Sequence, residues 1–209
     1  MTEADLIKFL VAMIIMMNPL GSLSIFLQLT HSLSLPKQRK IAWNASVAII
    51  IIMLLTIWTG NDLLAWLGIT IPSFRCAGGL ILLLMGLSML QSRESPVSHT
   101  VEDDEAARDR ESVAIVPLAL PIIIGPGAIS TLIIASTDFP QMVNKVWMSG
   151  ICGMLTVFIA IILYFANPVA QFVGASVIKV VTRIMGMIIM AIAVGMLAEG
   201  LTGLFPGLR

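Results

Sequence analysis

The sequence predicts an all-α polytopic membrane protein with six transmembrane helices in an inverted three-plus-three repeat. Three observations predict it. The 209-residue chain is 58% hydrophobic and only 11% charged, with a mean hydropathy of +1.00. Residues 9–36, 41–61, 76–92, 112–137, 146–178 and 184–198 contain no Asp, Glu, Lys or Arg. A helix of about 20 apolar residues crosses roughly 30 Å of hydrocarbon, and most of these runs are long enough. Finally, a helix-breaking sequence recurs in each half: Asn18-Pro19-Leu20-Gly21 and Gly125-Pro126-Gly127. Paired interruptions in corresponding spans point to a solute site between inverted repeats.

The expected helices are about Leu6–Gln28, Ile41–Gly60, Phe74–Gln91, Val113–Ser136, Val143–Phe165 and Val181–Leu204. Acidic Glu3 and Asp5 precede the first apolar run, which is too long for a signal peptide, so it is expected to remain as a span. Residues 92–112 form the one hydrophilic segment, with seven acids (Glu94, Glu102, Asp103, Asp104, Glu105, Asp109, Glu111) against three arginines (Arg93, Arg108, Arg110). Such a composition suits a solvated tether. It divides the chain into a first three-helix repeat (1–91), the acidic linker (92–112) and a second repeat (113–209). Three spans per repeat is an odd number, so the second copy must enter the membrane from the opposite side. Pro19 and Pro126 lie 107 residues apart (126 minus 19). Arg75 and Gly78 recur 108 residues on as Arg183 and Gly186, an Arg-x-x-Gly at the start of the third helix and again of the sixth.

Lys and Arg counts set the orientation. Lys37, Arg39, Lys40, Arg93, Arg108, Arg110, Lys179 and Arg183 fall on one side; Lys8, Arg75, Lys145 and Arg209 fall on the other. Eight against four places both termini in the periplasm of a plasma-membrane (inner-membrane) protein. Trp43, Trp58, Trp66 and Trp147 near span ends suit interfacial anchors.

Function is expected at the breaks. Proline removes an amide donor and clashes with the preceding turn, and freed backbone groups at membrane depth must face protein or a water-filled cavity. Asn18, Pro19, Gly21, Ser22 and Ser24 surround the first break; Gly125, Pro126, Gly127, Ser130 and Thr131 surround the second. Half-helices starting there would aim N–H groups at one cavity, which favours anions. With unwound carbonyls nearby, the arrangement suits a small zwitterion. Pro117 and Pro121 are expected in the first turns of the fourth helix, where a missing donor is harmless. Arg75 and Arg183, near span ends, are candidates for gating or interfacial anchoring. Glu199, near the end of the sixth helix, is expected to snorkel to the interface. Small residues of the third and sixth helices, among them Gly78, Gly79, Gly86 and Gly186, suit close helix packing.

Several classes are excluded. Zero net charge and a pI near 6.7 leave no nucleic-acid footprint. Cys76 and Cys152 lie in apolar runs and read as small buried hydrophobes, not as a disulfide or metal pair. No zinc-protease motif, phosphate-binding glycine loop or Ser–His pair at membrane depth is present, so neither an enzyme nor an ATP-driven pump is expected, and no cofactor or metal. No acid, base or histidine falls near the expected midplane, which argues against a carboxylate-based proton carrier. Coupling to Na⁺ or H⁺ and assembly as a homo-oligomer are left open.

Asn-Pro-x-Gly at 18–21, Phe-Arg-x-Ala-Gly-Gly at 74–79, Pro-Leu-Ala-x-Pro at 117–121 and Gly-Pro-Gly-Ala-x-Ser at 125–130 together resemble the MarC family of bacterial inner-membrane proteins. The ending, Arg183-Ile184-Met185-Gly186 through Phe205-Pro206-Gly207, looks similar too. The resemblance covers essentially the whole chain. It implies six spans, a place among the lysine-exporter-like group of small transporters, and a small neutral amino acid such as glycine or alanine as solute. It does not imply drug efflux. The rival expectations are a non-transporting membrane scaffold or envelope or stress factor, whose breaks serve packing, and a narrow channel.

Overall fold

The computed structural model describes residues 1–31, 33–91, 124–205 and 207, and within them the chain forms eight α-helices. These are α1 (Glu3–Met17), α2 (Pro19–Thr30), α3 (Leu35–Trp66), α4 (Ile71–Gln91), α5 (Pro126–Asp138), α6 (Met142–Tyr164), α7 (Ala166–Val173) and α8 (Ala175–Leu204). No strand occurs among the described residues.

Local sequence explains most boundaries. Thr2 opens α1 with a reciprocal cap: its side chain accepts from the Asp5 N–H while the Asp5 carboxylate accepts from the Thr2 N–H. Proline occupies the first turns of α2, α3 and α5, where its missing N–H has no helical partner to lose. Gly68 and Gly174, at φ 70° and 78°, turn the chain into α4 and α8.

Five helical stretches are long and apolar enough to cross a membrane: Glu3–Leu27, Leu35–Trp66, Ile71–Gln91, Met142–Tyr164 and Ser176–Leu204. The sequence leads one to expect six. The difference lies in the fourth: α5 has 13 residues, about 20 Å at 1.5 Å per residue. The residues that would complete it, with Pro117 and Pro121, lie outside the described residues, as does the acidic linker. Helix α3 is longer than Ile41–Gly60, running 32 residues from Leu35 to Trp66. Lys37, Arg39 and Lys40 at one end and Asp62 at the other do not stop it, because a helix needs apolar side chains only across the hydrocarbon. The expected sixth helix likewise starts earlier, at Ala175, and takes in Lys179.

Contacts fix the direction of each helix. At one end of the bundle the Met1 amino group donates to Asn144 Oδ1 (2.8 Å), and Trp58 Nε1 donates to Ser149 Oγ (3.2 Å). At the other end Gln38 Nε2 donates to the Thr30 carbonyl (2.9 Å), Asn167 Nδ2 donates to Gln38 Oε1 (2.8 Å), and the Arg39 guanidinium lies 4.7 Å from the Tyr164 ring centre. Thus α3 and α6 run antiparallel. Helices α4 and α8 form the most extensive pairing and are also antiparallel, with Gly86 meeting Gly186 and Pro72 meeting Gly203.

The core gathers Met13, Met16, Met17, Leu23, Ile49, Met53, Leu82, Leu132, Met148 and Ile159, all buried. Ile51, Leu55, Met154, Phe158 and Val194 are exposed on the outer faces, which an apolar bilayer would cover.

Candidate functional site

The first interruption is a single residue. Asn18 ends α1 and begins α2 in the left-handed region, φ 39°, ψ 71°, the one non-glycine positive φ among the described residues. Asparagine tolerates this conformation better than most residues because its short amide can bond locally. Here Oδ1 accepts from the Gly21 N–H at 3.3 Å. Ser22 Oγ donates to the Met17 carbonyl (2.8 Å), satisfying an acceptor that the break would otherwise orphan. Gly21 is required by close approach: a Cβ there would stand 2.1 Å from Asn18 Nδ2.

At the second expected break the described residues show a helix start, and it is built from backbone. Gly125 caps α5 with extended angles, φ −60°, ψ 164°, and its carbonyl accepts from Ala128 (3.0 Å) and Ile129 (3.3 Å). The expected sheaf of free N–H groups at this helix start is therefore partly spent on Gly125. A Cβ on Gly127 would stand 2.1 Å from Leu82 Cδ2 and 3.6 Å from Met16 Sδ. Met16 is two residues from Asn18, so the two breaks pack side by side in the core.

The candidate residues divide clearly. Asn18, Ser22, Gly125, Gly127 and Ser130 are buried, with Pro19, Gly21 and Thr131 partly so. The Ser22 hydroxyl is committed to Met17 and that of Thr131 to the Gly127 carbonyl (2.9 Å). Ser24 is exposed and bonds the Leu20 carbonyl (3.1 Å), so the structure leaves it outside the cluster. Two groups remain uncommitted. Asn18 Nδ2, in a residue 8% exposed, and Ser130 Oγ, in one 3% exposed, have no hydrogen-bond partner among the described residues. A buried polar group without a partner costs roughly 1–3 kcal/mol and calls for an explanation. Ser130 faces α4, where a Cβ on Gly78 would come within 2.8 Å of its hydroxyl.

Arg75 does more than anchor. Its Nη2 donates to both oxygens of Asp138 at the end of α5 (2.6 and 2.7 Å), and its Nη1 donates to Glu199 Oε2 near the end of α8. Glu199, expected only to snorkel, has a guanidinium as its partner. Asp138 carries no motif and was not legible in the sequence, since 63 residues separate it from Arg75. Arg183, the residue matching Arg75, lies at the opposite end on α8. A small cavity of about 140 Å³ opens at that opposite end, lined by Leu35, Gln38, Arg39, Tyr164, Asn167 and Pro168. None of the residues expected at the breaks lines it.

Bundled apolar helices with a buried break at Asn18 and a buried helix start at Gly125 define an integral multi-pass membrane protein. The family model described as "MarC family integral membrane protein" matches residues 4–205. The chain belongs to the MarC family. It is 31% identical over 203 residues to the UPF0056 membrane protein BU267 of Buchnera aphidicola, covering 97% of this chain and 94% of that one. The UPF0056 membrane protein YhcE of Escherichia coli is 30% identical over 210 residues, covering 96% and 94%. A Pyrococcus abyssi UPF0056 membrane protein is 32% identical over 190 residues, covering 90% of each chain. No solved structure matches.

Proposed function

We propose that this protein is a secondary transporter of the plasma (inner) membrane that moves small neutral amino acids, or similar small metabolites, by alternating access. One observation carries the reading: the break at Asn18 and the start of α5 at Gly125 meet in the core, and among the described residues Asn18 Nδ2 and Ser130 Oγ lie buried without partners. Both can donate, and a carboxylate is the acceptor that would satisfy them in the absence of a protein charge. Methionines 13, 16 and 17 pack beside them, and unbranched thioether chains adapt readily to small changes of shape. A small solute could therefore be admitted without a permanent void.

The inverted repeat belongs to the same proposal. Helix starts Pro19 and Leu35 recur 107 residues later at Pro126 and Met142 (126 minus 19, 142 minus 35). The half-helices α2 and α5 have 12 and 13 residues. The antiparallel pairs α3–α6 and α4–α8 are what two copies of opposite direction would give. In this arrangement both termini face the periplasm, and Arg75 sits at the periplasmic end.

The test is uptake or counterflow of labelled glycine and alanine in proteoliposomes, with and without Na⁺ and pH gradients. Wild-type flux that is lost in Asn18→Leu and in Ser130→Ala, with both variants still folded, supports the site. Unchanged flux in either variant removes that residue. One observation favours the rival scaffold: Leu82 presses on Gly127 so closely that the breaks also serve packing. Absence of flux for every solute in the screen would leave that reading standing.

A further inference from the structure

Both ion pairs that join described residues belong to Arg75, and they tie three helix ends together at one face of the bundle. The two carboxylates are not equivalent. Glu199 stands on α8, which is locked to α4 along its length: a Cβ on Gly79 would lie 2.9 Å from Leu197 Cγ, one on Gly86 would lie 2.7 Å from the Gly186 carbonyl, and one on Gly200 would lie 2.6 Å from Cys76 Sγ. Arg75 and Glu199 therefore ride on one rigid pair. Asp138 stands on the last turn of α5, a helix that begins at Gly125 in the middle of the core.

We infer that the Arg75–Asp138 ion pair is a latch that holds the outer end of α5 closed over the buried polar groups at the breaks, with Glu199 as the residue that positions the guanidinium. The geometry supports each part. Nη2 alone serves both Asp138 oxygens while Nη1 serves Glu199, so the two carboxylates divide the guanidinium between them. Asp138 lies eight residues beyond Ser130 on the same helix, about 12 Å along the axis, which places the latch between Ser130 and that face. The Arg75 side chain is 17% exposed, whereas those of Asp138 and Glu199 are 45% and 64% exposed. The carboxylates can therefore regain water when the pair parts, so release is not prohibitive. A second, weaker tie joins α5 to α3, where Thr137 Oγ1 donates to Asn61 Oδ1 at 3.3 Å. With both ties parted, the outer end of α5 is held to its neighbours by apolar packing alone, Ile133 against Gly60 and Leu82 against Gly127. The latch has its purpose in the transport reading, but its opening can be measured without any solute.

The reporter is Ser136→Cys. Ser136 is 1% exposed, two residues from Asp138 on the same helix end, and becomes accessible only when that end moves. Labelling by a membrane-impermeant maleimide in proteoliposomes, read by mass spectrometry at each cysteine, is compared in the reporter alone and with Asp138→Asn or Glu199→Gln added. Labelling at 136 is expected to rise about two- to fivefold with Asp138→Asn, the range of one partly exposed ion pair in a closing equilibrium, and by less with Glu199→Gln. The charge swap Arg75→Asp with Asp138→Arg should return it toward the reporter's rate, which a merely structural role of either residue would not do. Cys152, fully buried in α6, should remain unlabelled throughout. Unchanged labelling with Asp138→Asn overturns the latch. Should that variant aggregate, unchanged labelling in Glu199→Gln, whose carboxylate is largely in water, overturns it equally. Faster labelling in a protein that moves no solute keeps the latch and defeats the transport reading; flux with no change in labelling does the reverse.

Discussion

The break at Asn18 and the helix start at Gly125 are built with opposite chemistry. At Asn18 a side chain manages the break: the carboxamide caps Gly21, the backbone takes the left-handed turn, and Ser22 covers the Met17 carbonyl. At Gly125 the absence of side chains manages it: the carbonyl collects two N–H groups, and Gly127 lets Leu82 press against bare backbone. The first break is held by hydrogen bonds, which trade against water and are modest in net worth. The second is held by packing, where an added carbon on Gly127 must displace the buried Leu82 side chain. Tolerance to substitution should therefore differ more between the breaks than their similar sequences suggest.

Gly127→Val should have the largest effect. Its Cβ would overlap Leu82 Cδ2, and overpacking a filled core costs typically about 1–3 kcal/mol. A clear fall in the thermal midpoint in detergent is expected, partly reversed by adding Leu82→Ala; no fall would mean that the second break is not packing-limited. Asn18→Leu comes next, at about 1–3 kcal/mol for a residue that resists the left-handed region. Asn18→Gly separates conformation from chemistry: glycine accepts the angle, so its midpoint should stay near wild type while solute flux disappears. Equal midpoints for the Leu and Gly variants would show that the turn is not a source of strain. Ser22→Ala should cost about 1 kcal/mol by baring the Met17 carbonyl, read as a smaller midpoint shift. Ser24→Ala, at an exposed position, should change neither midpoint nor flux; loss of flux there would restore Ser24 to the site.

Much of this was legible because the physics is local. Charge-free runs mark spans since a bilayer tolerates few charges, and Pro19 and Pro126 mark helix starts since proline cannot continue a helix but suits its first turn. Helix ends were less legible. Lys37, Arg39 and Lys40 read as a loop, yet they ride on the overhang of α3, where water tolerates both charge and helix. The short α7 hid within a single charge-free run because Ala166 continues from Tyr164 with no polar interval. Arg75 stood out as a helix-end cation, but its partners did not, because ion pairs across 63 and 124 residues leave no periodic trace. The division of hydroxyls was equally hidden: Ser22, Thr131 and Ser130 look alike in the chain, and only their neighbours decide which stays unbonded.

The reciprocal approach of Gly86 and Gly186 has a mechanical corollary. Each backbone carbonyl occupies the hollow left by the other's missing side chain, so α4 and α8 mesh like cog teeth and resist sliding lengthwise. Arg75 and Glu199, one on each helix, are thereby held in fixed register.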